Sequence, residues 1–219
     1  MRMFDGLKAL FGAAARLSVD EHIEKGLSQF SGDPVSLSGL PATRGRLLTT
    51  AEIIAHFGNP GDPDNLTTIV PPYPMKLAWD PSVAVTKITC HKKIAGPLSN
   101  VLRDVLAYYG ILRIKELGLD LFGGCLNNRP QRGLEAKYAA AIKSKNYKLA
   151  YTYLSRHAWS IASDWDPARN DLKTKSPKAQ FSKPEYKAFN DIWYKHGFIG
   201  YGRERNNEIG RASCRERVS

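Results

Sequence analysis

The sequence predicts an α+β domain. Short extended segments alternate with helices that carry their own start and stop signals, and few of the connections read as parallel crossover units. Of the 219 residues, 42% are hydrophobic, which is enough for one core in one domain with a helical arm. No apolar run approaches the length of a transmembrane helix.

Residues 1–45 predict a helical arm and connector. In "MRMFDGLKALFGAAARLS", Phe4, Leu7, Leu10, Phe11 and Ala14 share one helical face. Asp5 and Lys8 break the apolar stretch that a secretory leader needs, so the segment reads as an amphipathic helix. Packing on its own domain is the simpler use of that face, and membrane contact is the alternative. Ser18 and Glu21 form a capping box for a second helix over 18–30, and a polar connector with Gly and Pro follows from Ser31 to Gly45.

The domain proper is expected over 46–207. "TTAEIIAHFG" is a short helix with Thr49 and Glu52 as its box and Gly58 as its stop, and "GNPGDPDN" is a loop. "TTIVPPYPMKLAW" and "VAVTKITC" read as extended, with prolines pushing the first towards a sheet edge. "GPLSNVLRDVLAYYG" is a helix with Leu98, Val101, Leu102, Val105 and Leu106 as its stripe, Pro97 near its start and Gly110 at its end. "LEAKYAAAIKSKNYKLAYTY" is an Ala- and Lys-rich helical excursion. In "SKPEYKAFNDIWYKHG", Ser182 and Glu185 form a box, Pro184 lies in the first turn and Gly197 is the stop. Strand-like pieces lie around 120–128, 160–166 and 198–202.

A formal charge of +11 favours an anionic partner, either nucleic acid or an anionic polymer of a cell envelope. The basic residues are scattered and no nucleic-acid-binding motif is present, which argues against nucleic acid. Cys90, Cys125 and Cys214 have no C-x-x-C spacing, so neither a thiolate zinc site nor a disulfide framework is expected.

The stretch richest in chemistry is "SRHAWSIASDWDPARN", residues 155–170. Alternation along "SIASDWD" places Ala162, Asp164 and Asp166 on one strand face and Ile161, Ser163 and Trp165 on the other. An imidazole at His157, on the loop entering that strand, can meet a carboxylate further along it. Both groups are ordinary zinc ligands, although a His and an Asp at this spacing also occur by chance.

"SRHAWSIASD" resembles the S-x-H-x-x-G-x-A-x-D signature of the zinc D-alanyl-D-alanine carboxypeptidases. That family includes vancomycin-resistance dipeptidases and phage peptidoglycan peptidases. Ser155, His157, Ala162 and Asp164 match the signature, and Ser160 stands where it has glycine. "PPYPMKLAWDP", "ITCHKKIAGPL", "LGLDLFGGCLNNRPQRG", "DPARN" and "FNDIWYKHGFIGYGR" resemble the phage-type branch in the right order, over roughly residues 66–207. The helical stretch between Gly133 and Leu154 departs from it, being longer than the corresponding link.

The resemblance implies a Hedgehog/DD-peptidase-like domain with a small antiparallel sheet flanked by helices. It implies that His157 and Asp164 are two of three ligands to zinc (Zn2+), that Arg129 faces the substrate, and that Arg132 and Ser155 lie in the substrate site. A fixed guanidinium can grip a carboxylate or a developing oxyanion. For Arg129 and Arg132 a surface salt bridge is the competing role. Zinc in such a site activates water and polarises the peptide carbonyl, and a nearby carboxylate shuttles the proton.

The family's third ligand is a histidine in an M-H-F-like stretch after the "HGF…GR" segment, with the acidic general base just ahead of it. No histidine follows Arg203. His196 matches the family's helix-end "HG" and is expected to be structural, as are His22, His56 and His91. "EIGRASCRERV", residues 208–218, is what one frame of a common sequencing adapter gives on translation. The tail over 208–219 is therefore expected to be non-native, Cys214 with it, and Glu208 to stand near the base position by coincidence. On this reading the third ligand and the base are absent from the chain.

The expected function is zinc-dependent hydrolysis of peptidoglycan stem peptides, as a D-Ala-D-Ala carboxypeptidase or a related L-Ala-D-Glu-type endopeptidase. It would be a monomeric phage or prophage lysis enzyme, held in the host cytoplasm until lysis and then acting at the wall. The alternative is a non-catalytic wall-binding relative. A third class, nucleic-acid binding, would show as DNA affinity falling steeply with salt.

Overall fold

The computed structural model describes residues 47–200 other than 172, 173 and 175, together with the backbone of the strand at 214–217. The amphipathic N-terminal segment, the box at Ser18 and Glu21, and His22 lie outside the described residues.

Helix α1 (Thr50–Phe57) forms as its sequence signals require. The Thr49 hydroxyl accepts the Glu52 amide, the Glu52 carboxylate accepts the Thr49 amide, and Gly58 leaves the helix at φ 79°. Strands β1 (Leu66–Ile69), β2 (Met75–Leu77), β3 (Asp80–Val85) and β4 (Ile88–His91) follow. The proline-rich run interrupts rather than edges the first extended stretch: β1 pairs with β4, whereas β2 lies inside a second sheet between β3 and β5 (Leu121–Phe122). Pro71, Pro72 and Pro74 lie in the link, where no ladder needs their missing amides.

Helix α2 (Lys92–Leu117) starts earlier than Pro97. His91 caps it, its Nδ1 accepting the Lys93 amide. Gly110 does not end it. The backbone there turns to φ 65°, ψ 162°, and a further stretch of helix runs on to Gly118. The predicted stripe is buried at Leu98, Val101, Leu102 and Val105, and half-buried at Leu106. The Ala- and Lys-rich excursion is a hairpin of two helices, α3 (Glu135–Lys143) and α4 (Tyr147–Thr152).

Strand β6 (Ala162–Asp164) is shorter than its alternation suggests, since Asp166 takes φ 43° and turns the chain. Helix α5 (Lys187–Lys195) follows two 3-10 turns, and the box expected from Ser182 and Glu185 does not form. The Ser182 hydroxyl instead donates to the Ala179 carbonyl. Gly197 stops the helix at φ 78°, and β7 (Phe198–Gly200) follows. Strand β8 (Cys214–Arg217) lies between β6 and β7, antiparallel to both.

The expected single sheet is thus three small sheets, antiparallel except where β2 meets β5. Trp165 sits at the centre of the core, fully buried, with Phe122, Phe189 and Trp193 around it at ring separations of 5.5, 6.3 and 5.4 Å. Among the described residues no helix is long and apolar enough to cross a membrane.

His91 joins α1 to α2. Its Nε2 faces the Phe57 carbonyl at 2.9 Å while its Nδ1 accepts from Lys93, so the ring is the neutral Nε2–H tautomer. Burial pushes its pKa down from 6.5, more than the Phe57 carbonyl raises it. The folded state therefore resists protonation that the unfolded chain accepts, and this contribution is complete above about pH 6.5 and is lost as the pH falls below it. Melting curves between pH 7 and 5 should show a steeper fall in Tm for the wild type than for His91→Asn, which keeps a cap acceptor without the titration.

Candidate metal centre

The chain from Leu121 to Gln131 runs beside the chain from Tyr153 to Asp166 and is fastened to it along its length. Asp166 N donates to Leu121 O at 2.8 Å, Gly123 N to Asp164 O at 2.7 Å, and Asp164 N to Gly124 O at 2.9 Å. Further along, Asn127 N donates to His157 O at 3.1 Å, Ser155 N to Arg129 O at 3.0 Å, and Gln131 N to Tyr153 O at 2.8 Å. Two loops of low regularity thereby hold their side chains in fixed positions.

His157 lies in a 3-10 turn (Arg156–Trp159) that Ser155 caps, with the hydroxyl accepting the His157 amide at 3.4 Å. Its ring is buried, and Nδ1 donates to the Cys125 carbonyl at 2.9 Å. A carbonyl can only accept, so Nδ1 carries the hydrogen, and Nε2 is the atom presented to Asp164. Nε2 and Asp164 Oδ2 are 3.4 Å apart, with Asp164 about a quarter exposed. That separation is long for a charge-assisted hydrogen bond. It matches two ligands of one tetrahedral zinc, which at ordinary bond lengths stand about 3.3 Å from each other. A backbone carbonyl on the far nitrogen is also the usual outer support of a histidine in a metal site. The pair thus fits two members of a zinc donor set, and no group of three or more His, Cys, Asp and Glu that could hold a metal occurs among the described residues.

Asp166, expected on the same face as Asp164, is not part of this pair. It is buried, its carboxylate takes Arg169 Nε at 2.6 Å and Asn170 Nδ2 at 3.2 Å, and Asn170 Oδ1 in turn accepts the Phe181 amide. "DPARN" is therefore a brace next to the pair, with Asp166 and Asn170 buried and Arg169 partly exposed. Burial raises the Asp166 pKa against the opposing pull of Arg169.

Arg129 is half-buried, donates Nη1 to the Pro130 carbonyl at 3.2 Å, and is tied to Ser155 through its own carbonyl. Arg132 is exposed on the turn before α3. The other described histidines lie elsewhere. His91 bridges α1 and α2, His56 is exposed with its ring edge-on to Phe57, and His196 holds Asp104 at 2.8 Å beside Arg103.

Two close fits set the geometry, and only one has a sequence signal. Gly123 has no room for a side chain: a methyl carbon there would fall 2.8 Å from Asp164 Cβ and 3.1 Å from both Asp164 O and Pro167 Cγ. Ser160, at the signature's glycine position, has φ 54° and ψ 34°, the left-handed conformation that glycine adopts freely. Its carbonyl accepts the His91 amide and Cys125 Sγ, while its fully buried hydroxyl has no hydrogen-bond partner among the described residues.

Gly123→Ala should lower stability by about 1–3 kcal/mol in urea unfolding, because the methyl group overpacks the Asp164 backbone. Ser160→Gly should raise it by about 1 kcal/mol in the same assay, relieving the left-handed strain and removing an unmatched buried hydroxyl. An unchanged or lowered unfolding midpoint for Ser160→Gly would show the hydroxyl to be satisfied. No family model, no curated protein and no solved structure matches the chain, so the reading of this site rests on its geometry and its motifs.

Proposed function

We propose that the chain is a zinc-dependent peptidase of peptidoglycan stem peptides, a D-Ala-D-Ala carboxypeptidase or related endopeptidase of phage or prophage type. The observation that carries this reading is the approach of His157 Nε2 to Asp164 Oδ2 at 3.4 Å, with Nδ1 of the same ring committed to Cys125 O. His157 and Asp164 would hold the ion. When bound, zinc supplies activation of water and polarisation of a peptide carbonyl. Arg129, anchored next to the histidine turn, is the cation that would orient a substrate carboxylate, with Arg132 beyond it at the rim and Ser155 holding the turn.

The third donor and the general base are not assigned to described residues. The topology supports a place for them. The chain that follows β7 returns as β8 beside β6, and Asp164 has Cys214 as its Cα partner. A strand in that position bearing a histidine and an acidic residue would stand next to the His157–Asp164 pair. In this chain Cys214–Arg217 forms that strand and carries neither a histidine nor an assigned base.

A second reading, a wall-binding relative without catalysis, is favoured by the absence of a three-donor group among the described residues. Zinc content and stem-peptide cleavage measured side by side separate the two. The chain ending in residues 208–219 should hold zinc weakly and cleave poorly. One whose residues after Asn207 follow the gene should bind one zinc and cleave, and should lose both on His157→Ala or Asp164→Ala. Wall binding with neither zinc nor cleavage in either chain would establish the second reading and sink the first.

A further inference from the structure

The tip of the α3–α4 hairpin is unlike the rest of the surface. Residues 142–149, Ile-Lys-Ser-Lys-Asn-Tyr-Lys-Leu, are all exposed. Ile142, Tyr147 and Leu149 are 36%, 54% and 41% exposed, and they make three of the eight large exposed hydrophobic side chains among the described residues. Such side chains scattered singly need no explanation, but three within eight residues, interleaved with Lys143, Lys145 and Lys148, do. No carboxylate occurs between Glu135 and Asp164, so the hairpin carries one acidic residue, at its base, and none at the lysine-bearing tip.

The tip is also built rather than slack. Lys145 takes φ 57°, the Ser144 hydroxyl and the Asn146 amide both donate to the Ala141 carbonyl, and the Asn146 side chain caps α4 at the Leu149 amide. Ala141 and Ala150, on either side of the tip, are buried. At its base the hairpin is fastened by Gln131 N to Tyr153 O and by Gln131 Nε2 to Leu154 O, next to Arg129 and Ser155.

We propose that this tip docks on an anionic phospholipid bilayer. Lysines near such a surface each contribute attraction to the headgroups. A tyrosine suits the headgroup level, and an isoleucine and a leucine gain by entering the acyl boundary. A soluble polyanion would engage the lysines but leave Ile142, Tyr147 and Leu149 in water, so the mixed composition favours the bilayer. Through the fastened base, docking would hold the His157–Asp164 site at a set distance from the membrane.

The test is co-sedimentation of the full chain with vesicles of phosphatidylglycerol and phosphatidylcholine in equal parts, against vesicles of phosphatidylcholine alone. Binding to the anionic vesicles is expected, falling about a hundredfold in Lys143→Gln/Lys145→Gln/Lys148→Gln. It should fall about tenfold in Ile142→Ser/Tyr147→Ser/Leu149→Ser. Vesicle binding should be the same with and without EDTA, which keeps the result independent of the metal site. All these positions at the tip are exposed, and an unchanged Tm verifies that each variant folds. As a second readout, emission from Tyr147→Trp should shift to the blue on anionic vesicles. Loss in the lysine variant alone, with inorganic polyphosphate displacing the vesicles, would overturn the proposal in favour of a polyanion site. Equal binding to both vesicle types, or none to either, would overturn it as well.

Discussion

The hydrogen bonds that zip Leu121–Gln131 to Tyr153–Asp166 are the constraint on which the rest of this structure depends. Neither segment is regular along its length, and β5 and β6 are only two and three residues long. Yet the contacts run from Leu121 with Asp166 to Gln131 with Tyr153, and every feature of the site hangs from them. The Cys125 carbonyl selects the tautomer of His157, and the Gly123–Gly124 backbone pairs with Asp164. Arg129 is carried beside Ser155, and the exposed hairpin is fastened at Gln131. Because backbone groups hold the frame, side chains at its edge remain available for chemistry.

Histidines and aspartates divide between scaffold and site according to what their second atoms touch. At His91 both ring nitrogens are spent on backbone, which suits a ring kept neutral by burial. His196 reaches Asp104, itself in contact with Arg103, and so ties the end of α5 to the middle of α2. His157 differs in spending Nδ1 on backbone and presenting Nε2 to a partly exposed carboxylate. Asp164 and Asp166 make the same contrast two residues apart. One lies at the opening of the site, and the other is buried under Arg169 and Asn170 as a brace. A carboxylate already holding a guanidinium and an amide is poorly suited to a metal.

Ser160 shows what the position after the histidine turn demands. The turn ends in the left-handed region, a neighbouring backbone amide and a thiol both converge on the residue's carbonyl, and the side chain is enclosed. Glycine answers all of these demands at once. Serine answers the backbone demands at the cost of strain and a stranded hydroxyl, which leaves the placement of His157 and Asp164 intact.

Much of the chain was legible from local chemistry. The box at Thr49 and Glu52, the stripe of α2 and the stops at Gly58 and Gly197 each depend on a few neighbouring residues, and each stands where the sequence places it. Elsewhere the fold departs from a single local signal, through a competing local bond, a bend or a tertiary pairing. Ser182 turns to Ala179 instead of capping, Gly110 bends α2 instead of ending it, and β2 moves inside a sheet because β5 pairs with it from far along the chain. The sequence alone determined which residues can ligate, cap and turn, since those are properties of single side chains and their near neighbours. Only the tertiary structure decided which imidazole nitrogen faces which carboxylate, and which aspartate became a brace. The first choice depends on backbone groups some thirty to forty residues away, Cys125 for His157 and Gly124 for Asp164, that no spacing rule brings together; the second depends on the burial of Asp166, whose amide goes to the Leu121 carbonyl while Arg169 and Asn170 hold its carboxylate.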